Sequence, residues 1–92
     1  MMTLKSNRRF PLGQVVITSG AMEALPPKEV GKSLFRHAGG DWGDVSKMDW
    51  AENDQALKHE SRLLSSYRTT TGIRFWIITE WDRSVTTKGE QP

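Results

Sequence analysis

Arg74-Phe75-Trp76-Ile77-Ile78-Thr79-Glu80-Trp81 is the stretch on which the fold turns. It is rich in aromatic and β-branched side chains and holds neither glycine nor proline, the composition of a strand. Successive residues of a strand face opposite sides, so Phe75 and Ile77 point one way and Trp76 and Ile78 the other. Apolar residues on both sides predict a central strand with both faces at least partly covered. Just upstream, Arg62-Leu63-Leu64-Ser65-Ser66-Tyr67-Arg68 reads as a partner strand, and Thr69-Thr70-Thr71-Gly72 joins the two as a hairpin. Downstream, Val85-Thr86-Thr87 begins a short last strand, beyond which Lys88–Pro92 is expected to fray.

Toward the N-terminus, Gln14-Val15-Val16-Ile17-Thr18 is a first strand, ended by Ser19-Gly20. A short helix over Ser19–Leu25 must stop at Pro26-Pro27, since proline disfavours helical geometry in the residue before it. Proline suits a first helical turn, so a second helix starts at once. Val30, Leu34, Phe35 and Ala38 are assigned to its buried face, and Gly39-Gly40 stop it. Ser46 opens a third helix with Asp49 at capping-box spacing. Trp50 and Leu57 share its inner face, and Asn53 between them acts as a hydrogen-bonding bracket, with the loop Gly39–Asp44 as its nearest partner in sequence.

The order β-α-α-α-β-β, with a final β, predicts an α+β fold: a small antiparallel sheet of three to four strands with helices packed on one face. One domain over residues 10–87 is expected, with flexible termini at 1–9 and 88–92. Its 92 residues fit one core, because chains divide only at roughly 250–300 residues. At 36% hydrophobic and 26% charged the chain is globular in composition. It has no cysteine, which removes disulfides and thiolate metal sites. The N-terminal run lacks the apolar stretch of a signal peptide, and no apolar run approaches membrane-spanning length. A cytoplasmic protein without a membrane partner is expected.

Net charge is only +2, but it is unevenly placed. Residues 1–40 carry six basic and two acidic side chains, whereas residues 41–54 carry five acidic and one basic. The basic front, with Arg8, Arg9, Lys28, Lys32 and Arg36, is a candidate nucleic-acid surface. The neighbouring acidic segment offsets it, and a solvated face is the ordinary outcome for so small a net charge.

Motifs for cofactors fail. Gly31-Lys32-Ser33 lacks the first glycine of a phosphate loop, since Pro26 stands there. Ala38-Gly39-Gly40-Asp41-Trp42-Gly43 follows a helix, not the strand that a dinucleotide site requires. No cofactor and no metal is expected. His37 and His59 form no paired-ligand motif. A metal-dependent hydrolase at Glu80 and Asp82, with His37, Asp41 and Asp44 folded over them, is the weakest function considered. A Ser84-His37-Asp82 triad can be drawn but carries no weight.

A non-enzymatic binding role fits better. Asp41, Trp42 and Asp44 in the glycine loop, with Glu80, Trp81, Asp82 and Arg83 at the strand end, form a candidate protein-binding surface, tryptophan and arginine being enriched at interaction hot spots. Trp42 also anchors a loop whose three glycines in five residues are costly to order. The sheet face bearing Trp76 and Ile78, with Leu63 or Leu64 beside them, is a candidate interface with another protein or in a homodimer. The alternative is that Met2–Leu12 folds back over it, with Leu4, Phe10 and Leu12 filling the patch.

Arg36-His37, Gly40-Asp41-Trp42-Gly43, Asn53-Asp54-Gln55-Ala56-Leu57, Arg62-Leu63-Leu64-Ser65 and Phe75-Trp76-Ile77-Ile78-Thr79-Glu80, followed by Asp82-Arg83-Ser84-Val85-Thr86-Thr87, occur in that order. Over about residues 10–87 the chain resembles a family of small uncharacterised bacterial proteins labelled hypothetical or plasmid-related. The resemblance implies a bacterial source and a mobile element, and it implies no activity. Relatives extend the threonine pair with apolar residues and a proline, where this chain has Lys88-Gly89-Glu90-Gln91-Pro92. A small inhibitor of a host defence complex is one concrete form of the binding reading.

Overall fold

A computed structural model describes residues 8–90. The elements are β1 (Gln14–Ile17), α1 (Ser19–Ala24), α2 (Pro27–Ala38), α3 (Lys47–His59), β2 (Leu63–Arg68), β3 (Arg74–Thr79) and β4 (Val85–Glu90). This is the α+β order read from the sequence, and β3 is indeed central. The sheet order is β1-β4-β3-β2.

The sheet is mixed and not antiparallel throughout. β2, β3 and β4 form an antiparallel meander, while β1 lies parallel to β4. The helices carry the chain from β1 to the far edge of the sheet. Three hairpin-linked strands then return to β1; β2 enters running the same way as β1, and the two reversals that follow leave β4 parallel to both. The last strand also continues through Lys88, Gly89 and Glu90, where fraying was expected. Gly89 explains why the strand holds: it pairs with Trp76, and a Cβ there would lie 2.3 Å from the indole Cζ2. The ring takes the space that a side chain would fill.

Local signals set the helix ends. Thr18 Oγ1 accepts from the Ala21 N–H and Ser46 Oγ from the Asp49 N–H, each satisfying one orphan donor of a first turn. α2 begins at Pro27 as proline geometry allows, and it buries Val30, Ser33, His37 and Ala38 with Leu34 half-buried. Phe35 was assigned to this face but is 64% exposed. It stands about 100° around the helix from Leu34, outside the stripe through 30, 33/34 and 37/38.

α1 and α2 cover the face formed by Tyr67, Phe75 and Ile77. A second cluster joins Phe10, Leu12, Ala38, Trp42, Ala56 and Leu63 at the other end of the same layer. α3 lies beside the edge strand β2. It buries Asn53 and Ala56, and Trp50 sits at the surface instead of in the core. Asn53 is a bracket as expected, but on the strand and not the glycine loop. Its Nδ2 donates to the Leu64 carbonyl (2.8 Å) and its Oδ1 accepts from the Leu64 N–H (3.1 Å). One residue pair further along, the Ser66 N–H donates to the Trp42 carbonyl and the Asp44 N–H to the Ser66 carbonyl. The outer edge of β2 is thereby closed by the two segments that precede it.

Candidate functional site

The glycine loop and the β3–β4 turn, both candidates for binding, are occupied by internal structure. Trp42 is fully buried, stacked on Phe10 (6.1 Å between ring centroids) and edge-on to His37 (5.5 Å). Its indole N–H donates to Asp54 (3.0 Å). It anchors the loop, as the three glycines around it led one to expect, and so cannot also meet a partner, which corrects its place among the binding candidates. Asp41 receives two hydrogen bonds from the Arg36 guanidinium, at 2.8 and 3.2 Å, and one from the Gly43 N–H. The Arg36 bonds hold its carboxyl below the usual carboxylate range. The Tyr67 hydroxyl donates to the Asp41 carbonyl (2.6 Å), and burial raises its pKa. Asp44 is exposed, with its backbone tied to Ser66.

At the other candidate segment, Arg83 is a brace. Its guanidinium donates to the Ala56, Ser61 and Glu80 carbonyls at 3.0, 2.6 and 3.1 Å. Positive charge on the last carbonyls of α3 is favourable there. Arg83 sits at φ 60°, a left-handed position usually given to glycine, and its side-chain bonds offset that cost. Asp82 accepts from the Ser84 N–H and hydroxyl, which holds its carboxyl low, and Glu80 pairs with Arg62 at 3.3 Å. Trp81, 62% exposed, remains available at the tip.

His37 does not approach these carboxylates. It lies fully buried in a chain of side chains that the sequence did not reveal. Thr86 Oγ1 donates to the Leu12 carbonyl (2.7 Å), so it accepts from Thr79 Oγ1 (2.7 Å). Thr79 in turn accepts from His37 Nε2 (2.9 Å), which must carry the proton. Nδ1 is then the acceptor of the Ser65 hydroxyl (2.5 Å). Every proton is fixed by the carbonyl at the end. Burial, with the nearby Arg83 charge, lowers the His37 pKa to about 4. The imidazole is neutral and sealed from solvent, and its two nitrogens tie α2 to β2 and β3. Among the described residues no group of three or more histidine, cysteine or carboxylate side chains is placed to hold a metal. No described helix is long and apolar enough to cross a membrane.

The candidate nucleic-acid residues are spread out. Arg8 and Arg9 are exposed ahead of β1, and the Arg9 N–H caps α2 at the Ala38 carbonyl (2.8 Å). Lys28, Lys32 and Arg36 recur every four residues along the outer side of α2, beside the exposed Phe35. Arg36 is committed to Asp41 and lies over the Tyr67 ring at 4.8 Å.

The remaining candidate is the sheet face turned away from α1 and α2. Alternation puts Leu64, Ser66 and Arg68 of β2, Arg74, Trp76 and Ile78 of β3, and Val85, Thr87 and Gly89 of β4 on that side. Val16 of β1 joins them. Phe75 and Ile77 are fully buried beneath the helices, whereas Trp76 and Ile78 are half-buried and Leu64 is 40% exposed. Of the two leucines considered, Leu64 is therefore the one on this face. Phe10 and Leu12 pack in the helix-side core and do not cover it. Leu4 lies outside the described residues. At Leu64 the face meets a groove of about 670 Å³ between α3 and β2, lined also by Met48, Ala51, Glu52 and Gln55. The arginines flanking the hairpin were not singled out in the sequence, although their places next to the strand-forming runs mark them.

No protein-family model, curated protein or solved structure matches this chain.

Proposed function

We propose that this protein is a non-enzymatic module that binds another protein through the helix-free face of its sheet, centred on Leu64, Trp76 and Ile78. The observation that carries this reading is the one-sided packing of β3: its odd-numbered residues are sealed under helices while Trp76 and Ile78 are not. An apolar surface of this kind, continued by the groove beside α3, is what protein interfaces use. The occupied loop and turn support it from behind by fixing β2 and the end of α3. Work within a bacterial accessory or mobile-element system, including inhibition of a host defence complex, rests on the family resemblance alone. The test is capture of partners from a bacterial lysate by the wild type and by Ile78→Ser and Trp76→Ser, each checked for folding. The same proteins captured by all three would end the proposal. Light scattering at several concentrations reports whether the partner is a second copy.

A second reading has its own observation. Lys28 and Lys32 with Phe35, beside the Asp41-paired Arg36, form a basic and aromatic stripe on α2, suited to a nucleic-acid backbone. Binding of short DNA that weakens steeply with salt and with Lys28→Glu/Lys32→Glu would favour it.

A further inference from the structure

Arg68 and Arg74 stand directly opposite one another at the hairpin end of β2 and β3. Like charges in directly opposed positions of an antiparallel pair work against folding. Neither guanidinium has an ion pair with a described residue. None of the other described strand residues on the same face, from Gln14 and Val16 to Gly89, is a carboxylate. The nearest acid along β3 is Glu80, six residues from Arg74 and so about 20 Å away at the strand rise of 3.3 Å per residue. It is already paired with Arg62. One step inward from the arginines, Trp76 lies over Gly89, opposite Ser66. Two positive charges without an ion pair among the described residues thus stand at the border of the half-exposed apolar face.

We infer that the Arg68–Arg74 pair is the recognition point for a carboxylate-bearing segment of the protein partner, seated with its apolar residues on Trp76, Ile78 and Leu64. This rests on the proposed binding face and adds the chemistry of what it meets. The aliphatic character of the rest of the face favours an acidic polypeptide over a nucleic acid, which requires several stacking rings and a continuous basic track. Among the described strand residues that a second copy of this face would present, none is a carboxylate, which favours a different chain as the partner. Paired guanidiniums suit carboxylates in particular, because each presents a planar fork of donors.

The test is fluorescence anisotropy with labelled twelve-residue peptides of alternating glutamate and valine, the glutamine and valine counterpart, and a twelve-nucleotide oligothymidylate. Wild type, R68Q/R74Q and Ile78→Ser are compared. The glutamate peptide should bind the wild type at least tenfold more tightly than it binds R68Q/R74Q, and at least tenfold more tightly than the glutamine peptide binds. R68Q/R74Q should melt no lower than wild type, since a repulsive pair has been removed. Four results would overturn the inference: undiminished binding to R68Q/R74Q, no binding of the glutamate peptide at millimolar concentration, tighter binding of the oligonucleotide, or a lower melting temperature of R68Q/R74Q. If Ile78→Ser abolishes glutamate-peptide binding while R68Q/R74Q does not, acid recognition fails and the binding face stands. If neither variant affects it, both fail.

Discussion

Acidification between pH 6.5 and 4 is expected to weaken this domain through one residue, His37. In the folded protein the imidazole is sealed, neutral and fixed by Ser65 and Thr79, and its pKa is lowered to about 4. In the unfolded chain a histidine takes up a proton near pH 6.5. Above 6.5 both states hold the neutral ring, and its contribution is fully present. As the pH falls below 6.5 the unfolded chain binds a proton that the folded chain refuses, so stability falls until the pH reaches about 4. Each pH unit in that window costs at most 1.36 kcal/mol, roughly 3 kcal/mol in all. A domain of this size has a total of roughly 5–14 kcal/mol, so the loss is large. With a urea dependence of about 1–2 kcal/mol per molar, the midpoint should drop by roughly 1.5–3 M between pH 7 and 4. The assay is urea unfolding followed by circular dichroism at half-unit steps of pH, with His37→Gln alongside. The variant should start lower and show little slope above pH 4.5, where Asp41 and Asp82, both held low, do not yet titrate. A wild-type midpoint that stays flat down to pH 4.5, or a His37 ring signal that titrates near 6.5, would refute the reasoning.

Trp42→Ala should destabilise by roughly 3–5 kcal/mol in the same urea assay at pH 7, as removal of a fully buried aromatic does. A loss under 1 kcal/mol would mean the loop is held by its backbone bonds to Ser66. Gly89→Ala should cost about 1–3 kcal/mol, because the new methyl meets the Trp76 ring at 2.3 Å. Tryptophan fluorescence should shift as the ring is displaced, and an unchanged midpoint would mean that the ring moves freely. Asn53→Ala removes both partners of the Leu64 backbone at the sheet edge and should cost roughly 1–3 kcal/mol. Faster amide exchange at Leu64 is the local measure, and unchanged exchange would show that α3 shields the edge without the amide.

The order of elements was legible because it depends on local chemistry. β-Branched and aromatic alternation marks β3, prolines at 26 and 27 divide α1 from α2, and Ser46 opens α3. The split of Phe75 and Ile77 from Trp76 and Ile78 follows from strand geometry alone, but apolar residues on both sides read as a strand with both faces at least partly covered, and only the packing shows that α1 and α2 cover one of them. Four further decisions lay beyond the sequence, since each depends on which segments meet after folding. The parallel pairing of β1 with β4 depends on the edge at which β2 enters the sheet, and no residue encodes that by itself. Trp81, Asp82 and Arg83 look alike as candidates in sequence, but Arg83 is spent on the end of α3, Asp82 on its own turn, and only Trp81 is left exposed. Arg68 and Arg74 are unremarkable strand ends until the register sets one against the other, and His37 is an ordinary helical histidine until the sheet brings Ser65 and Thr79 to its two nitrogens. Residue types and their spacing determine what each segment can be. Which charges are neutralised and which are left to meet a partner is decided by long-range pairing, because a carboxylate removes a guanidinium from the surface only where the fold places them within reach.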